Sequence, residues 1–156
     1  MDKDFVAALM AGEAITPGFR ISYLANFYAE PVYKEVQKRH GIARGEFVVL
    51  MCLRGGGTLT AQDICRLTGR PKNSISQAVA KLEAAGFLRR TADADDARRN
   101  LLDITRAGEN LCGQILPLFF ERERQMLAVL SEVQREQLGQ LLKVLTIRDD
   151  DWARPY

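Results

Sequence analysis

The segment from Thr60 to Thr105 constrains the fold of this chain more than any other part of the sequence. Two short helical patterns meet at Gly69, and two short apolar runs then flank the charged stretch TADADDARRN. Two helices joined by a tight turn and followed by a two-stranded hairpin form a winged helix-turn-helix. We therefore predict a mainly α-helical, α+β fold with such a module, residues 44–105, at its centre.

The first helix of the module begins at a recognisable cap. Thr60 is a good N-cap, and Asp63, three residues later, can return the hydrogen bond in a variant of the capping box. Ile64 and Leu67 are predicted to face inward. Gly69 is predicted to make the sharp turn that lets the next helix cross the first.

The second helix, about Pro71 to Ala85, separates clearly into two sides. Its apolar residues fall within a narrow angular band, which predicts the buried side: Ile75, Ala78, Val79 and Leu82. At about 100° per residue, the residues that point away from this band are Asn73, Gln77, Ala80 and Ala84, with Ser74, Ser76 and Lys81 beside them. This outward face is amide, hydroxyl and small, and it lacks the dense Glu/Lys mixture of an ordinary solvated helix.

Such a face is typical of a helix that enters the major groove of DNA. Asn73 and Gln77 can each bond an adenine edge through a paired donor and acceptor, and serine can serve a base or a phosphate. Lysines beside the face would attract the DNA backbone without specifying sequence. The alternative is a solvent-exposed helix whose outer face has few charges by chance and binds no DNA. The predicted DNA contacts on the helices of the module are Thr60, Lys72, Asn73, Ser74, Ser76, Gln77 and Lys81.

The tip of the predicted hairpin carries acidic residues that DNA would repel. We predict that Asp96 holds Arg98 in a hydrogen-bonded pair, so that this arginine enters a minor groove already oriented. Arg99 is predicted to bind phosphate. The alternative is a solvated loop with chance charges. From Arg66 to Arg99 the basic residues exceed the acidic ones by four, within a chain of net charge +2, which is the distribution expected where a polyanion docks.

Helical patterns flank the module on both sides, over residues 18–41 and 105–147. The first has an apolar face with spacings of mostly three or four residues, formed by Ile21, Leu24, Phe27, Tyr28, Val32 and Val36. Thr105 and Ser131 can cap two later helices. These helices have more apolar surface than one small module can cover, so we predict that they form a homodimer interface.

Other features of the chain exclude several classes of function. Cys52, Cys65 and Cys112 are widely spaced, and the chain has one histidine, so neither a disulfide framework nor a metal site is predicted. The three thiols are predicted to be reduced core residues; a redox role is the alternative. The glycines 55–57 lack a following GK[ST] and are predicted to be a flexible connector. No nucleophile is paired with a base, so we expect neither an enzyme nor a bound cofactor.

Composition favours a soluble protein. Apolar residues make up 47% and charged residues 27% of the 156 residues, which matches a globular chain of one domain with appended helices. No run approaches the roughly 20 apolar residues that cross a bilayer. Acidic residues near the start also argue against a signal peptide. We therefore expect a cytoplasmic protein without a membrane partner.

The run LTAQDICRLTGRPKNSISQAVAKLEAAGFLRR, followed by DADDARRNLLDITRAG, resembles the MarR family of bacterial transcriptional regulators. The helix pair ends in LExxGFLxR, and the wing motif D-x-R is followed by a strand and by the run from Ile104 to Gly108. The resemblance extends over nearly the whole chain and implies one domain, 1–156. The chain departs from the family at Ala97, where many members have an arginine, and at Pro71, where many have a hydroxyl cap.

The resemblance implies a function as well as a fold. It implies a homodimer that binds double-stranded DNA at a pseudo-palindromic operator, and we expect this dimer to act as a repressor. Recognition helices would occupy major grooves and wings the flanking minor grooves. Members are commonly released from DNA by a small, often phenolic ligand between the dimer helices and the module. Residues that could line such a pocket, or could instead be core, are Tyr23, Phe27, Phe47 and Met51. The alternative function is a winged-helix protein-interaction module that does not bind DNA.

Overall fold

The computed structural model of the chain describes residues 3–12, 15–93 and 99–147. Its helices are α1 (Lys3–Met10), α2 (Pro17–His40), α3 (Arg44–Gly56), α4 (Ala61–Thr68), α5 (Lys72–Ala84), α6 (Arg106–Leu127) and α7 (Glu132–Thr146). Its strands are β1 (Leu59–Thr60), β2 (Leu88–Ala92) and β3 (Asn100–Ile104). The strands form an antiparallel sheet in the order β1-β3-β2. This mainly helical fold with a small sheet confirms the predicted class.

The chain divides into two compact units, Met1–Phe119 and Phe120–Tyr156. The first unit contains the elements from α1 to β3 and most of α6. The second contains the end of α6 and all of α7. The single domain over 1–156 therefore stays a prediction.

The core of the first unit is built around α3 and the buried side of α5. The four α5 residues predicted to face inward, Ile75, Ala78, Val79 and Leu82, are all buried. They pack with apolar residues of α3, α4, β3 and α6, namely Val49, Leu50, Leu53, Ile64, Leu102 and Ile115. The predicted orientation of α5 is thus confirmed, because the buried band fixes which residues point outward.

The start of α4 agrees with the predicted cap. The Thr60 hydroxyl accepts a hydrogen bond from the Asp63 backbone N–H at 3.1 Å, and the Thr60 N–H donates to the Asp63 carboxylate at 2.9 Å. The turn after α4 depends on Gly69, which adopts a left-handed conformation with φ 65°. That conformation favours glycine, because it has no Cβ.

One prediction for α4 is wrong. Leu67 is 56% exposed, whereas Ile64 is fully buried. The half-buried residues of α4 are Ala61, Asp63, Cys65 and Thr68. The side of this two-turn helix that packs against the protein therefore has its middle between Ile64 and Thr68. Leu67 lies about 100° before Thr68 and so falls outside the contact.

The glycine run after α3 also differs from the prediction. Gly55 and Gly56 belong to the last turn of α3 rather than to a flexible connector. The helix ends at Gly56 and is capped by Gly57, which has φ 72° and donates its N–H to the Leu53 carbonyl. The chain then enters β1, where Leu59 is paired with Leu102 of β3. Because β1 has only two residues, no alternating pattern announces it in the sequence.

The start of α6 is joined to the entrance of the hairpin. The Thr105 hydroxyl donates to the Gly86 carbonyl at 2.7 Å, and the Thr105 N–H donates to the Phe87 carbonyl at 3.0 Å. The same hydroxyl accepts the Gly108 N–H at 3.1 Å, which confirms Thr105 as a cap. A Cβ added to Gly108 would lie 2.2 Å from the Phe87 carbonyl oxygen. Close approach of helix and hairpin therefore requires glycine here.

Gly108→Ala is expected to lower the free energy of unfolding by roughly 1–3 kcal/mol, because backbone must move to admit the methyl group. Gly113→Ala in the same helix is the matched control, since a Cβ there meets no atom within 4 Å. The control should be neutral or stabilising by up to about 1 kcal/mol. Urea denaturation followed by circular dichroism compares the two variants. Equal stabilities would contradict the steric explanation.

Candidate nucleic-acid interface

The outward face of α5 is the most prominent candidate for a binding surface. Asn73, Gln77, Ala80 and Ala84 are exposed, as predicted, and so is Ser76. Ser74 is half-buried. Along this face the side chains offer amides, a hydroxyl and small methyl groups, so a partner can approach the helix closely and meet paired donors and acceptors.

A cleft of about 360 Å³ lies between α5, the hairpin and the start of α4. It brings together four of the predicted contacts, Thr60, Lys72, Ser76 and Arg99, and adds Ala61, Gln62, Val79, Arg90, Asn100 and Leu102. Its cationic side chains come from α5, β2 and the residue before β3. The cleft therefore joins the helix face and the base of the wing into one positively charged surface.

The cations of the wing are accompanied by acids. Arg90 lies 3.1 Å from the Glu83 carboxylate, and Arg99 lies 3.9 Å from that of Asp93. The Asp93 N–H also donates to the Arg99 carbonyl at 3.1 Å, which continues the pairing of β2 and β3 towards the tip of the hairpin. The predicted pair of Asp96 and Arg98 lies outside the described residues.

Thr60 lies at the edge of the cleft, with its hydroxyl engaged inside the protein. The hydroxyl donates to the Asp63 carboxylate at 2.6 Å while accepting the Asp63 N–H. Hydrogen bonds from the Thr60 side chain and backbone, together with that from Arg66, lower the pKa of Asp63 to about 2. Thr60 and Asp63 thus fix the start of α4.

Lys81 is paired in a way that the sequence does not indicate. Its ammonium group lies 3.3 Å from the carboxylate of Glu46, whose side chain is only 9% exposed. The other Glu46 oxygen accepts the Ala43 N–H at 2.8 Å and so caps α3. One buried carboxylate therefore serves both the start of α3 and the flank of α5.

The four predicted ligand-lining residues occupy different surroundings. The rings of Tyr23 and Phe27 lie 4.7 Å apart on α2, and Phe27 borders a surface cavity of about 530 Å³. Phe47 is buried in the core and stacks on Phe119 at 5.1 Å. Met51 is half-buried against the same core. Their role in binding a ligand stays a prediction.

Several residues of the interface were missed by sequence reasoning. Arg90 could have been found, because it stands two residues after the buried Leu88 on β2 and so shares its side of the strand. It is also paired in register with Leu102, which lines the cleft. Gln62 and Asn100 carry no pattern that distinguishes them from other surface polar residues.

The cysteines have the properties of core thiols. All three are free; Cys112 is buried, while Cys52 and Cys65 are half-buried. Burial raises the pKa of both Cys52 and Cys112. A higher pKa leaves less of the reactive thiolate at neutral pH. Over the described parts of the chain, no helix has the length and apolar character required to traverse a bilayer.

Known proteins resemble the chain in sequence across this surface. Residues 40–99, which span α3 to the base of the wing, match the model of the MarR family. The HTH-type transcriptional regulator MhqR of Bacillus subtilis strain 168 is 33% identical over 105 residues, covering 67% of this chain and 72% of the relative. The chain belongs to the MarR family. It is therefore a MarR-family transcriptional regulator.

Solved structures agree with the MarR-family fold. A mutant of MarR from E. coli has a TM-score of 0.75 at 19% identity, over 86% of this chain and 98% of that one. MepR from S. aureus, solved as a complex with DNA, has a TM-score of 0.68 at 22% identity, again over 86% and 98%. These likenesses extend the fold beyond the segment matched by the family model.

Asp63→Ala is expected to lower the free energy of unfolding by about 1–2 kcal/mol at neutral pH, because charged hydrogen bonds at the cap are lost. The folded-state pKa, about 2, lies below the ordinary value of 3.8. The stability that the ionised carboxylate gives the wild-type protein over Asp63→Ala is therefore fully present above pH 3.8. It is lost as the pH falls through about 2. Urea denaturation at several pH values measures it.

Asp63→Asn provides the control for this titration. Its amide oxygen can still accept hydrogen bonds but does not ionise between neutral pH and pH 2. The stability difference between Asp63→Asn and Asp63→Ala should therefore stay constant across the series. A wild-type advantage over Asp63→Ala that does not change with pH would contradict the assigned role of the carboxylate.

Proposed function

We propose that this MarR-family regulator is a cytoplasmic homodimer that binds a pseudo-palindromic operator in double-stranded DNA and represses transcription. The observation that carries the proposal is the continuity of the α5 outward face with the cationic cleft beside it. Base-reading groups and phosphate-binding groups then lie on one surface, as sequence-specific DNA binding requires.

The α5 face supplies the sequence-reading part. Asn73 and Gln77 project from the side opposite the buried band, so their amides can reach base edges in a major groove. Ala80 and Ala84 leave room for the helix to lie close to the bases. Ser74 and Ser76, on the flanks of this face, are proposed to contact bases or nearby phosphates.

The cleft supplies the phosphate-binding part. Lys72 of α5 lines it from one side, and Arg90 and Arg99 of the hairpin line it from the other. Thr60 contributes chiefly through the cap that orients α4. Arg98, held by Asp96, is proposed as the minor-groove contact of the wing. Lys81 differs from these residues, because its ammonium group is paired with Glu46.

The homodimer is supported by apolar surface that the chain leaves exposed. The first half of α2 exposes Phe19, Ile21, Leu24 and Phe27. Helix α7 has no buried residue and exposes Val133, Leu141, Leu142, Val144 and Leu145. Exposed apolar surface of this extent marks a protein interface. A second copy would cover it symmetrically and present two α5 helices to two half-sites.

A small, phenolic or otherwise aromatic ligand is proposed to modulate DNA binding. Such a ligand must prefer the arrangement that does not fit the operator, and a coupling of roughly 1–3 kcal/mol would change affinity about 5–150-fold. Tyr23 and Phe27 present aromatic surface on α2. Phe47 and Met51 would contribute through the core against which they pack.

Gln77→Ala is expected to weaken binding to the operator by about 1–3 kcal/mol while leaving binding to random-sequence DNA unchanged, because it removes only a base contact. Lys72→Ala should weaken binding to both, and reduce the salt slope by about 0.9. Fluorescence anisotropy measures the affinity and its salt dependence for each variant, with a duplex from upstream of the gene and a random duplex as probes. Gln37→Ala and Lys34→Ala, on α2, are the matched controls.

The same titrations separate the two candidate functions. DNA affinity that falls steeply with rising salt supports the proposed regulator. Failure of the wild-type protein to bind the upstream duplex at low salt would instead favour a protein-interaction module that does not bind DNA.

Leu24→Glu is expected to convert the dimer into monomers, because it places a charge in apolar surface that the second copy would bury. Leu24 is 50% exposed in the single chain. Leu67→Glu, at the similarly exposed leucine of α4, should leave the dimer intact. Sedimentation velocity measures the oligomeric state. A monomeric wild-type protein, or two equally affected variants, would refute the proposed interface.

A further inference from the structure

The pair of Glu46 and Lys81 connects the DNA-facing module to its supporting helix in an unusual way. Lys81 is highly exposed on the flank of α5, yet its ammonium group is directed to a carboxylate that is almost completely buried on α3. In the pair of Arg66 with Asp63, by contrast, the carboxylate side chain is 26% exposed. The Glu46 carboxylate therefore has few alternative partners in solvent.

Glu46 has physical reasons to retain this lysine. A buried carboxylate that loses its cation bears an uncompensated charge, which is strongly unfavourable. Its second oxygen is fixed by the Ala43 N–H, so the carboxylate cannot turn towards water without uncapping α3. The neighbouring cation of α3 is directed elsewhere: the Arg44 guanidinium lies over the Tyr33 ring, 5.0 Å from its centroid.

We propose that Glu46 withholds the Lys81 charge from DNA phosphate and so limits the affinity of the protein for DNA. The inference rests on the proposed DNA-binding function and concerns how strongly the protein binds DNA of any sequence. Phosphate attraction carries no sequence information, so each cation withheld lowers non-specific affinity. The amides of α5 then account for a larger share of the binding free energy at the operator.

The test compares the salt dependence of DNA binding in wild-type protein, Glu46→Gln, and Glu46→Gln combined with Lys81→Ala. Glutamine retains an oxygen for the Ala43 N–H while removing the charge. Glu35→Gln is the matched control, because it changes net charge equally but removes a pair with Arg39 inside α2. The probes are the upstream duplex and a random duplex of equal length, from 50 to 200 mM salt.

Glu46→Gln is expected to steepen the salt slope by about 0.9, the value for one additional phosphate contact. Affinity for the random duplex would then fall by about 3- to 4-fold more than for wild-type protein across this salt range. The double variant should return to the wild-type slope. Glu35→Gln should not change it. At 50 mM salt, affinity for both duplexes should rise in Glu46→Gln alone.

A second measurement on wild-type protein does not depend on how the variants fold. Acetic anhydride labelling with peptide mass spectrometry reports the reactivity of each lysine. The upstream duplex should protect Lys72 from acetylation and leave the rate at Lys81 unchanged. If Glu46→Gln does not fold, the comparison of Lys72 with Lys81 still tests whether Lys81 contacts DNA.

Three results would overturn the inference. A folded Glu46→Gln protein with the salt slope of Glu35→Gln would show that Lys81 gains no phosphate contact. Protection of Lys81 by DNA to the same degree as Lys72 would show that Lys81 already binds it. Absence of DNA binding by wild-type protein would overturn the proposed function and this inference together.

Discussion

The burial of one side of α5 is the constraint on which the rest of the structure depends. Ile75, Val79 and Leu82 insert into the core beside α3, each stabilising the fold by roughly 1.5–3 kcal/mol. Together they fix the rotation of the helix about its axis. A shift of one residue would turn the helix by about 100° and replace the amides of Asn73 and Gln77 on the outward face. Packing in the core therefore determines which groups reach a partner.

The position of α5 depends on contacts at both of its ends. Before it, the Thr60–Asp63 cap and the left-handed Gly69 set the direction in which the chain leaves α4. After it, the joint of Thr105 with the Gly86 and Phe87 carbonyls ties the hairpin to α6. The face of α5 and the base of the wing consequently share one rigid support, which is why a single cleft can collect side chains from both.

The predictions that succeeded rested on local patterns, and those that failed depended on contacts distant in sequence. The four buried residues of α5 follow from periodicity, because a helix repeats within its own length. Leu67 was misplaced because its exposure depends on which side of α4 meets α5. Strand β1 became visible only through its pairing with β3. The approach of Gly108 to the Phe87 carbonyl likewise joins residues whose proximity no spacing rule supplies.

The same limit applies to electrostatics. The sequence shows a local excess of positive charge, but a count does not reveal which charges are already paired. Of the eight basic residues from Arg66 to Arg99, five lie within 4.0 Å of a carboxylate: Arg66, Lys81, Arg89, Arg90 and Arg99. Among the described residues, neither Arg70 nor Lys72 has such a partner, and Arg98 lies outside the described residues.

This pairing changes what the charge excess means for function. An arginine or lysine that binds phosphate must first give up its carboxylate, so the net gain is smaller than that of an unpaired cation. The acids thereby reduce attraction to DNA of arbitrary sequence, which would otherwise compete with the operator across a whole genome. Discrimination between sequences depends on the amides of α5 and on the spacing of the two copies. In a regulator of this kind, the acidic residues of the module limit the affinity to which the basic ones contribute.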